Sequence, residues 1–416
     1  MAERNRGSAN ANGCERSGRR RRDAGARALR ALATSALALP GVSSPARADA
    51  PPERAELRGG YSLYREDDLP GHRVEGGQAS ERYAIDILQL EFRTPLGARS
   101  DVGVNFVWET MSGASPISVS TANRVVMSGA TIEEERIDVR GDANYYFDEG
   151  RLGGSLGVST ENDYLAVSLG VDGSRNVNGG ATTLLGGLAM SFDEVDPTSG
   201  GPNGALASED KQSYTVFAGI AQLLSRTAAL QATATYRYST GYLSDPYKQA
   251  FVGGGPLAES RPDQRNQVAV LVRARKHFEQ VNGTLHGDFQ YAFDDWGINA
   301  VTLELAWHQS VFEALRLVPQ FRYYSQSQAD FYDTFFPGPT APRHFSSDYR
   351  LSPFGAFTYG LRAETNFRGM WRTDWDVAIS YDRYVSDADL ALGSVGVEHP
   401  GLVAYHLVSV RLTGRF

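Results

Sequence analysis

The chain has almost no cysteine. Its single one, Cys14, lies ahead of a short apolar segment near the N-terminus. If that segment is removed on export, no thiol remains, which excludes disulfides, thiolate metal centres and Cys-x-x-Cys-His haem attachment. Cys14 also stands on the wrong side of the apolar run to serve as a lipid anchor. Long hydrophobic runs are missing as well. Mean hydropathy is −0.35, and no stretch approaches the roughly 20 apolar residues that a spanning helix needs. A membrane location is then open only to a closed barrel, because only helices and barrels satisfy every backbone polar group in lipid. The motif inventory is thin too: no His-Glu-x-x-His, no EF-hand loop and no phosphate-cradling glycine motif. Gly153-Gly154-Ser155-Leu156-Gly157 matches the G-x-S-x-G nucleophile pattern, but that motif needs a strand-turn-helix context. Here it sits in a strand of alternating small residues, so no catalytic residue is assigned and an enzyme is not expected.

What is present begins with an unusual N-terminus. Residues 1–30 are basic, with Arg19 to Arg22 in a row, and an apolar segment follows from about Leu29 to Val42, interrupted by Pro40. Ala46-Arg47-Ala48 and Ala48-Asp49-Ala50 both fit a small-x-small cleavage site. That order reads as a secretory signal peptide with a basic extension over residues 1–50, cleaved after Ala48 or Ala50 and leaving one domain, 51–416. Residues 1–50 carry ten of the 41 basic and four of the 49 acidic residues, so the remainder has 31 and 45, a net charge of −14. An acidic exported chain is a poor nucleic-acid binder, since phosphate neutralisation drives that binding.

From about residue 55 onward the hydrophobic period is two. Val102, Val104, Phe106 and Trp108 alternate with Asp101, Gly103, Asn105 and Val107; Trp375, Val377, Ile379 and Tyr381 alternate with Asp376, Ala378, Ser380 and Asp382. One apolar and one polar face mark strands that meet two different solvents. About sixteen such segments fall near 55–65, 82–93, 100–110, 132–147, 151–159, 163–172, 181–193, 211–223, 228–240, 265–278, 282–293, 298–308, 313–325, 353–365, 372–384 and 401–416. The six long connections, 66–81, 111–131, 194–210, 241–264, 326–352 and 385–400, all join an odd segment to the next even one. Such segregation fits an all-β transmembrane antiparallel barrel with short periplasmic turns and longer external loops. Outward aromatics gather at segment ends: Trp108, Tyr236, Tyr238, Tyr291, Phe293, Phe321, Tyr323 and Tyr381 at one, Tyr145, Phe147, Trp375 and Phe416 at the other. Strand propensity alone would not concentrate them there, whereas interfacial girdles would. The alternating C-terminus ending in Phe416 resembles the signal read by the barrel-assembly machinery of Gram-negative outer membranes, with Gly414 where an aromatic is common.

The inward phase carries charge of both signs. Arg136, Asp138, Arg140, Asp142, Arg237, Arg273, Arg275, Glu304, Arg362, Glu364, Asp374 and Asp376 are expected to line a wet lumen, which a barrel of this size leaves open unless loops fill it. Either a charged constriction filters solutes or the charges brace the wall. The loops 241–264 and 326–352 are rich in Tyr, Phe and Pro, which suits inward-packed segments. Asp245, Tyr247, Lys248, Asp330, Asp348 and Arg350 are the constriction candidates on them. His286 and His308 share the inward phase with Asp288 and Glu304 and read as polar lumen residues. Asp330, Asp333, His344 and Asp348 could surround a cation, but their irregular spacing favours a solvated loop, and neither metal nor cofactor is assigned.

Three ordered stretches carry a resemblance: Gly241-Tyr242-Leu243-Ser244-Asp245-Pro246-Tyr247-Lys248, Tyr323-Tyr324-Ser325-Gln326-Ser327-Gln328-Ala329-Asp330-Phe331-Tyr332, and Ser346-Ser347-Asp348-Tyr349-Arg350-Leu351-Ser352-Pro353-Phe354-Gly355. Over essentially all of the exported part the chain resembles the bacterial family catalogued as domain of unknown function 3570. The resemblance implies an outer-membrane barrel without an assigned activity, associated with exported thioredoxin-like proteins and flavin-attaching enzymes. Two functions are therefore expected to compete: a porin-like channel with a charged lumen, and a structural or partner-binding barrel serving a periplasmic redox or flavin-bearing protein.

Overall fold

The computed structural model describes residues 50–70, 82–114, 118–119, 124–125, 131–197, 208–369, 373–396 and 398–416. The signal segment read at 1–50 lies outside them, apart from Ala50. Among the described residues the strands are β1 (Glu56–Glu66), β2 (Ala84–Pro95), β3 (Ser100–Ala114), β4 (Ser118–Val119), β5 (Arg124–Val125), β6 (Thr131–Phe147), β7 (Gly150–Glu161), β8 (Tyr164–Val177), β9 (Thr182–Val195), β10 (Glu209–Ser225), β11 (Ala228–Gly241), β12 (Gln249–Val252), β13 (Gly255–Ala258), β14 (Gln264–Phe278), β15 (Gly283–Asp294), β16 (Asn299–Ser310), β17 (Leu315–Gln326), β18 (Phe354–Arg368), β19 (Asp374–Asp387) and β20 (Ala404–Arg415). Sixteen of them close into one antiparallel barrel in chain order; β4–β5 and β12–β13 are small hairpins within loops.

Closure joins β1 to β20 from Glu56↔Arg415 to Glu66↔Tyr405. Side chains reinforce that seam: Ser62 and Ser409 hydroxyls meet at 2.8 Å, and Arg415 holds Glu56 at 3.0 Å and Asp376 at 2.7 Å. A closed sheet has no edge, so every strand finds two neighbours. The ladder between β16 and β17 is interrupted between Ala306↔Gln320 and Gln309↔Leu317. Pro319 lies in that gap and has no N–H to offer.

Each of the sixteen expected segments is a barrel strand. The largest difference is at β8, which runs on through Gly173-Ser174-Arg175-Asn176-Val177, where no apolar alternation marks it. At one end of the barrel, the turn end, the connections are short, such as 148–149, 226–227 and 279–282. Two of these turns need left-handed backbone: Asn282 has φ 47°, and Asn178, Gly179 and Gly180 have φ 54°, 65° and 84°. Gly and Asn adopt such angles at least cost. At the other end, loops 1 to 8 span 67–83, 115–130, 162–163, 196–208, 242–263, 295–298, 327–353 and 388–403. Loops 3 and 6 are tight; the rest are the six long connections read from the sequence.

The outer face is apolar and uncovered. Leu156, Val171 and Leu188 are 53%, 54% and 56% exposed. A continuous belt of half-exposed aliphatics is a surface for lipid, not water. Aromatics rim it: Tyr145 packs on Phe147 and Trp375 on Phe416 at the turn end, while Tyr214–Tyr238, Tyr291–Phe293 and Phe321–Phe357 pack toward the loop end. A Cβ on Gly414 would lie 2.8 Å from the Trp375 ring. Trp375, across the ladder from Gly414, therefore fills the place where the sequence lacks an aromatic. Buried apolar clusters occur instead among the loops: Trp296, Ile298, Ala329, Tyr332 and Leu351; Ala250, Val252 and Phe345; Tyr349 and Val403. The molecule's dry core is a loop cap seated on a polar barrel.

Candidate functional site: the charged lumen and its cap

Alternation sends every second wall residue inward, and the charges meet in cross-strand pairs. At the turn end Asp101 is fully buried. It accepts from Tyr146 Oη (2.6 Å) and Asn144 Nδ2 (2.9 Å) and pairs with Arg93, which also holds Asp142 at 2.8 Å. Gly103 makes room for that crossing, since a Cβ there would stand 2.6 Å from Arg93. Further along, Arg136 lies 3.2 Å from Glu109, 3.6 Å from Glu161 and 3.7 Å from Asp138.

A cavity of 1480 Å³ runs along this wall. It extends from Pro52, Glu53, Glu56 and Arg58 at the turn end to Asp245, Tyr247 and Arg350 beneath the loops. Of the expected lumen residues, Arg136, Asp138, Arg140, Asp142 and Arg237 line it. Glu364 and Asp376 line a second cavity of 330 Å³, with Arg316 and Arg411. Arg273, Arg275, Glu304, Arg362 and Asp374 line neither. The first two share Asp288, with Arg273 Nε at 3.3 Å; Glu304 meets Arg322 at 3.0 Å, Arg362 meets Glu364 at 2.7 Å, and Asp374 meets Arg54 and Arg368. Local pairing folds these side chains along the wall. His286 and His308 lie ring to ring, with centroids 4.0 Å apart, and Ser155 sits within β7, where no turn or helix follows it.

Loops 5 and 7 fold inward and build a buried ionic cluster. Arg350 reaches Asp245 at 2.7 Å and, through Nε, Asp348 at 2.7 Å. Arg261 bridges Asp348 (2.7 Å) and Glu259 (2.6 Å), and Glu259 accepts from the Asp245 N–H and the Ser346 hydroxyl. Lys248 is buried with its Nζ 5.6 Å from the Tyr349 ring centre, and Tyr247 Oη donates to Asp163 in loop 3 at 3.0 Å. Burial works against the charge on Asp348, but Arg350, Lys248 and Arg261 outweigh it and hold the carboxyl well below the usual range. Burial pushes the Lys248 ammonium down, with Asp348 opposing. Loops 1 and 8 complete the cap. Arg82 Nε donates to Glu66 at 2.6 Å, both side chains out of solvent. His399 is fully buried; its Nδ1 accepts from Gly401 N (2.9 Å) and its Nε2 donates to the Ser347 carbonyl (3.0 Å). Burial pushes its pKa down to about 4, so the ring is neutral.

Five of the six constriction candidates thus meet in the cap or at its underside. Asp330 does not: it is exposed beside Gly297 of loop 6. The cation reading of loop 7 also loses its geometry. Asp348 is occupied by two arginines, and Asp333 Oδ1 accepts from Thr334 N at 2.7 Å. Among the described residues the carboxylates close enough to share an ion are Glu134, Glu161 and Asp163. The sequence reading missed Glu259, Arg261 and His399. The alternation Glu259-Ser260-Arg261-Pro262-Asp263 was a signal for the first two; nothing local marks His399.

A closed antiparallel barrel with a lipid-ready belt, aromatic rims and a charged interior defines the class: a transmembrane barrel of the outer-membrane type. The chain belongs to the family described as "Protein of unknown function (DUF3570)", whose model matches residues 29–397. No curated protein matches the chain. Similar solved structures include a bacterial polysaccharide outer membrane secretin (9% identity, 87% of this chain and 98% of that one, TM-score 0.44). A FadL homologue of Pseudomonas aeruginosa matches at 11% identity over 88% and 90%, TM-score 0.40. An outer membrane channel from Pseudomonas putida F1 matches at 14% over 68% and 98%, TM-score 0.41. The likeness is one of barrel fold.

Proposed function

We propose that this protein is a passive channel of the Gram-negative outer membrane, with a charged lumen and a constriction formed by loops 5 and 7. The observation that carries the reading is the 1480 Å³ cavity that reaches from the turn end to the underside of the cap, with charged side chains along its length. Rings of fixed charge at a narrowing select among solutes by sign and size. On this reading the turn end faces the periplasm and the signal peptide is cleaved after Ala48 or Ala50. The terminal strand with Phe416 engages the assembly machinery. Proteoliposomes holding the folded barrel should swell in small neutral solutes at a rate that falls with solute size. Swelling no faster than in empty liposomes would count against it.

One feature favours a second reading. The cap is packed, with Lys248, Ala250, Asp348 and His399 almost fully buried, as suits a plugged barrel that holds a partner. The partner would be a periplasmic redox or flavin-bearing protein, the association that the family resemblance implies. Its recovery with the barrel from native membranes, beside liposomes that do not swell, would select this reading.

A further inference from the structure

We propose that the lumen holds a site for a small carboxylate-bearing solute centred on Arg237; the inference rests on the channel reading and names its solute class. Inward arginines of this barrel are, with few exceptions, paired to carboxylates. Arg237 is not: among the described residues no carboxylate lies within 4.0 Å of it. Register explains why. On β11, Arg237 stands between Thr215 of β10 and Gln267 of β14, both neutral. Among the described residues its one side-chain hydrogen bond is a long one, Nη2 to the Ser213 hydroxyl at 3.3 Å, and its Nε is buried without a partner. A guanidinium left in this state is costly, because an unmet charged donor forfeits its hydration. It lines the 1480 Å³ cavity, and Nη1 is not among its buried, unpartnered atoms.

The neighbouring acids are already engaged. Asp193 takes Lys211 at 3.1 Å and the Tyr164 hydroxyl, and Asp294 takes Arg265 Nε at 2.9 Å. Asp163 accepts from Tyr247, and Asp245 is held by Arg350. Lys211, Arg237, Arg265 and Arg350 equal in number the carboxylates Asp193, Asp294, Asp163 and Asp245, so these groups carry no net charge, and among the described residues Arg237 is the cation of the four that has no ion-pair partner. One unpaired guanidinium among balanced charges suits a monoanion better than a dianion, which the surrounding carboxylates would repel. The guanidinium fork matches a carboxylate in two parallel hydrogen bonds. Tyr164, Tyr242 and Leu243 line the same cavity and offer an apolar surface to the rest of the solute. Arg140, five strands away on β6, also lacks a carboxylate within 4.0 Å among the described residues, but Asp138 and Asp142 flank it on the same strand. It sits in an acidic field.

Binding is measured by titration calorimetry on the purified folded barrel in detergent, with benzoate and inorganic phosphate as probes. Benzoate should bind the wild type and weaken about 10- to 100-fold in Arg237→Gln, the loss of charge-assisted hydrogen bonds. Arg237→Lys should fall between, since it keeps the charge and loses the fork. Arg368→Gln, the same charge change at the exposed turn end, should bind as the wild type does. Equal benzoate binding by wild type and Arg237→Gln would overturn the site, as would binding of phosphate alone or no binding. Calorimetry needs no flux, so binding by a barrel that conducts nothing would remove the channel reading and leave the site, and conductance without binding would do the reverse.

Discussion

The wall and the cap of this protein are built by opposite means. The wall is held first by backbone ladders between strands adjacent in sequence, with side chains sorted outward to lipid and inward to a lumen where charges pair across neighbouring strands. The cap is held by side chains from loops far apart in the chain: Asp245 with Arg350, Arg261 with Asp348, Tyr247 with Asp163. Its charges are out of solvent, where each costs several kcal/mol to desolvate and is worth keeping only when fully paired. The wall should therefore tolerate single substitutions that the cap does not, and the cap should open without the barrel unfolding.

The largest expected effect is at Asp348. Asp348→Ala leaves Arg261, Arg350 and Lys248 buried without their shared acid and should destabilise the cap by about 3–5 kcal/mol. Loops 5 and 7 should become protease-sensitive while the folded barrel keeps its heat-modified mobility on gels; simultaneous loss of both would show that wall and cap fold as one unit. Next is the rim. Trp375→Ala removes the ring that covers Gly414 and meets Phe416, about 1 kcal/mol from the aromatic pair alone, and should slow barrel assembly. The swap Trp375→Gly with Gly414→Trp should restore the rate, because a cross-strand pair works from either side; no recovery would mean that Trp375 acts elsewhere.

Acid sharpens the comparison further. The folded-state pKa of His399 is depressed to about 4, below its ordinary 6.5. Its contribution to cap stability is therefore full above pH 6.5 and is lost as pH falls toward 4. Asp348, also depressed, adds its loss only below the ordinary aspartate range. Loop proteolysis should rise between pH 6.5 and 4, and His399→Gln should flatten that rise; an unchanged profile would reject His399 as its source. The smallest effect is expected at Arg273 and Arg275. Charge reversal there should shift ion selectivity less than Arg140→Glu does, since Arg140 lines the cavity and the other two are folded onto Asp288. A larger shift would place the narrowing on their side of the lumen.

Legibility in the sequence follows the same division. Period two, loop segregation and end-weighted aromatics were enough for all sixteen strands, because each strand's environment repeats along the strand itself. Lumen charges were legible as a phase but not as pairs: that Arg275 folds onto Asp288 while Arg237 faces neutral Thr215 and Gln267 depends on register between strands. In the cap, richness in Tyr, Phe and Pro marked loops 5 and 7 as inward-packed and so flagged Asp245, Tyr247, Lys248, Asp348 and Arg350 on them. It flagged Asp330 equally, because the motif shows composition and not which side of a loop turns in. His399 had no local signal, since its burial is created by loop 7 packing over it.

The most direct test of the account is planar-bilayer conductance of the folded wild type beside the Asp348→Ala variant. Small, salt-dependent steps in the wild type that grow in the variant are the predicted result, showing a charged lumen narrowed by a separable cap. Silence from both, with folding demonstrated for both, would contradict a conducting lumen and move the protein to the partner-holding class.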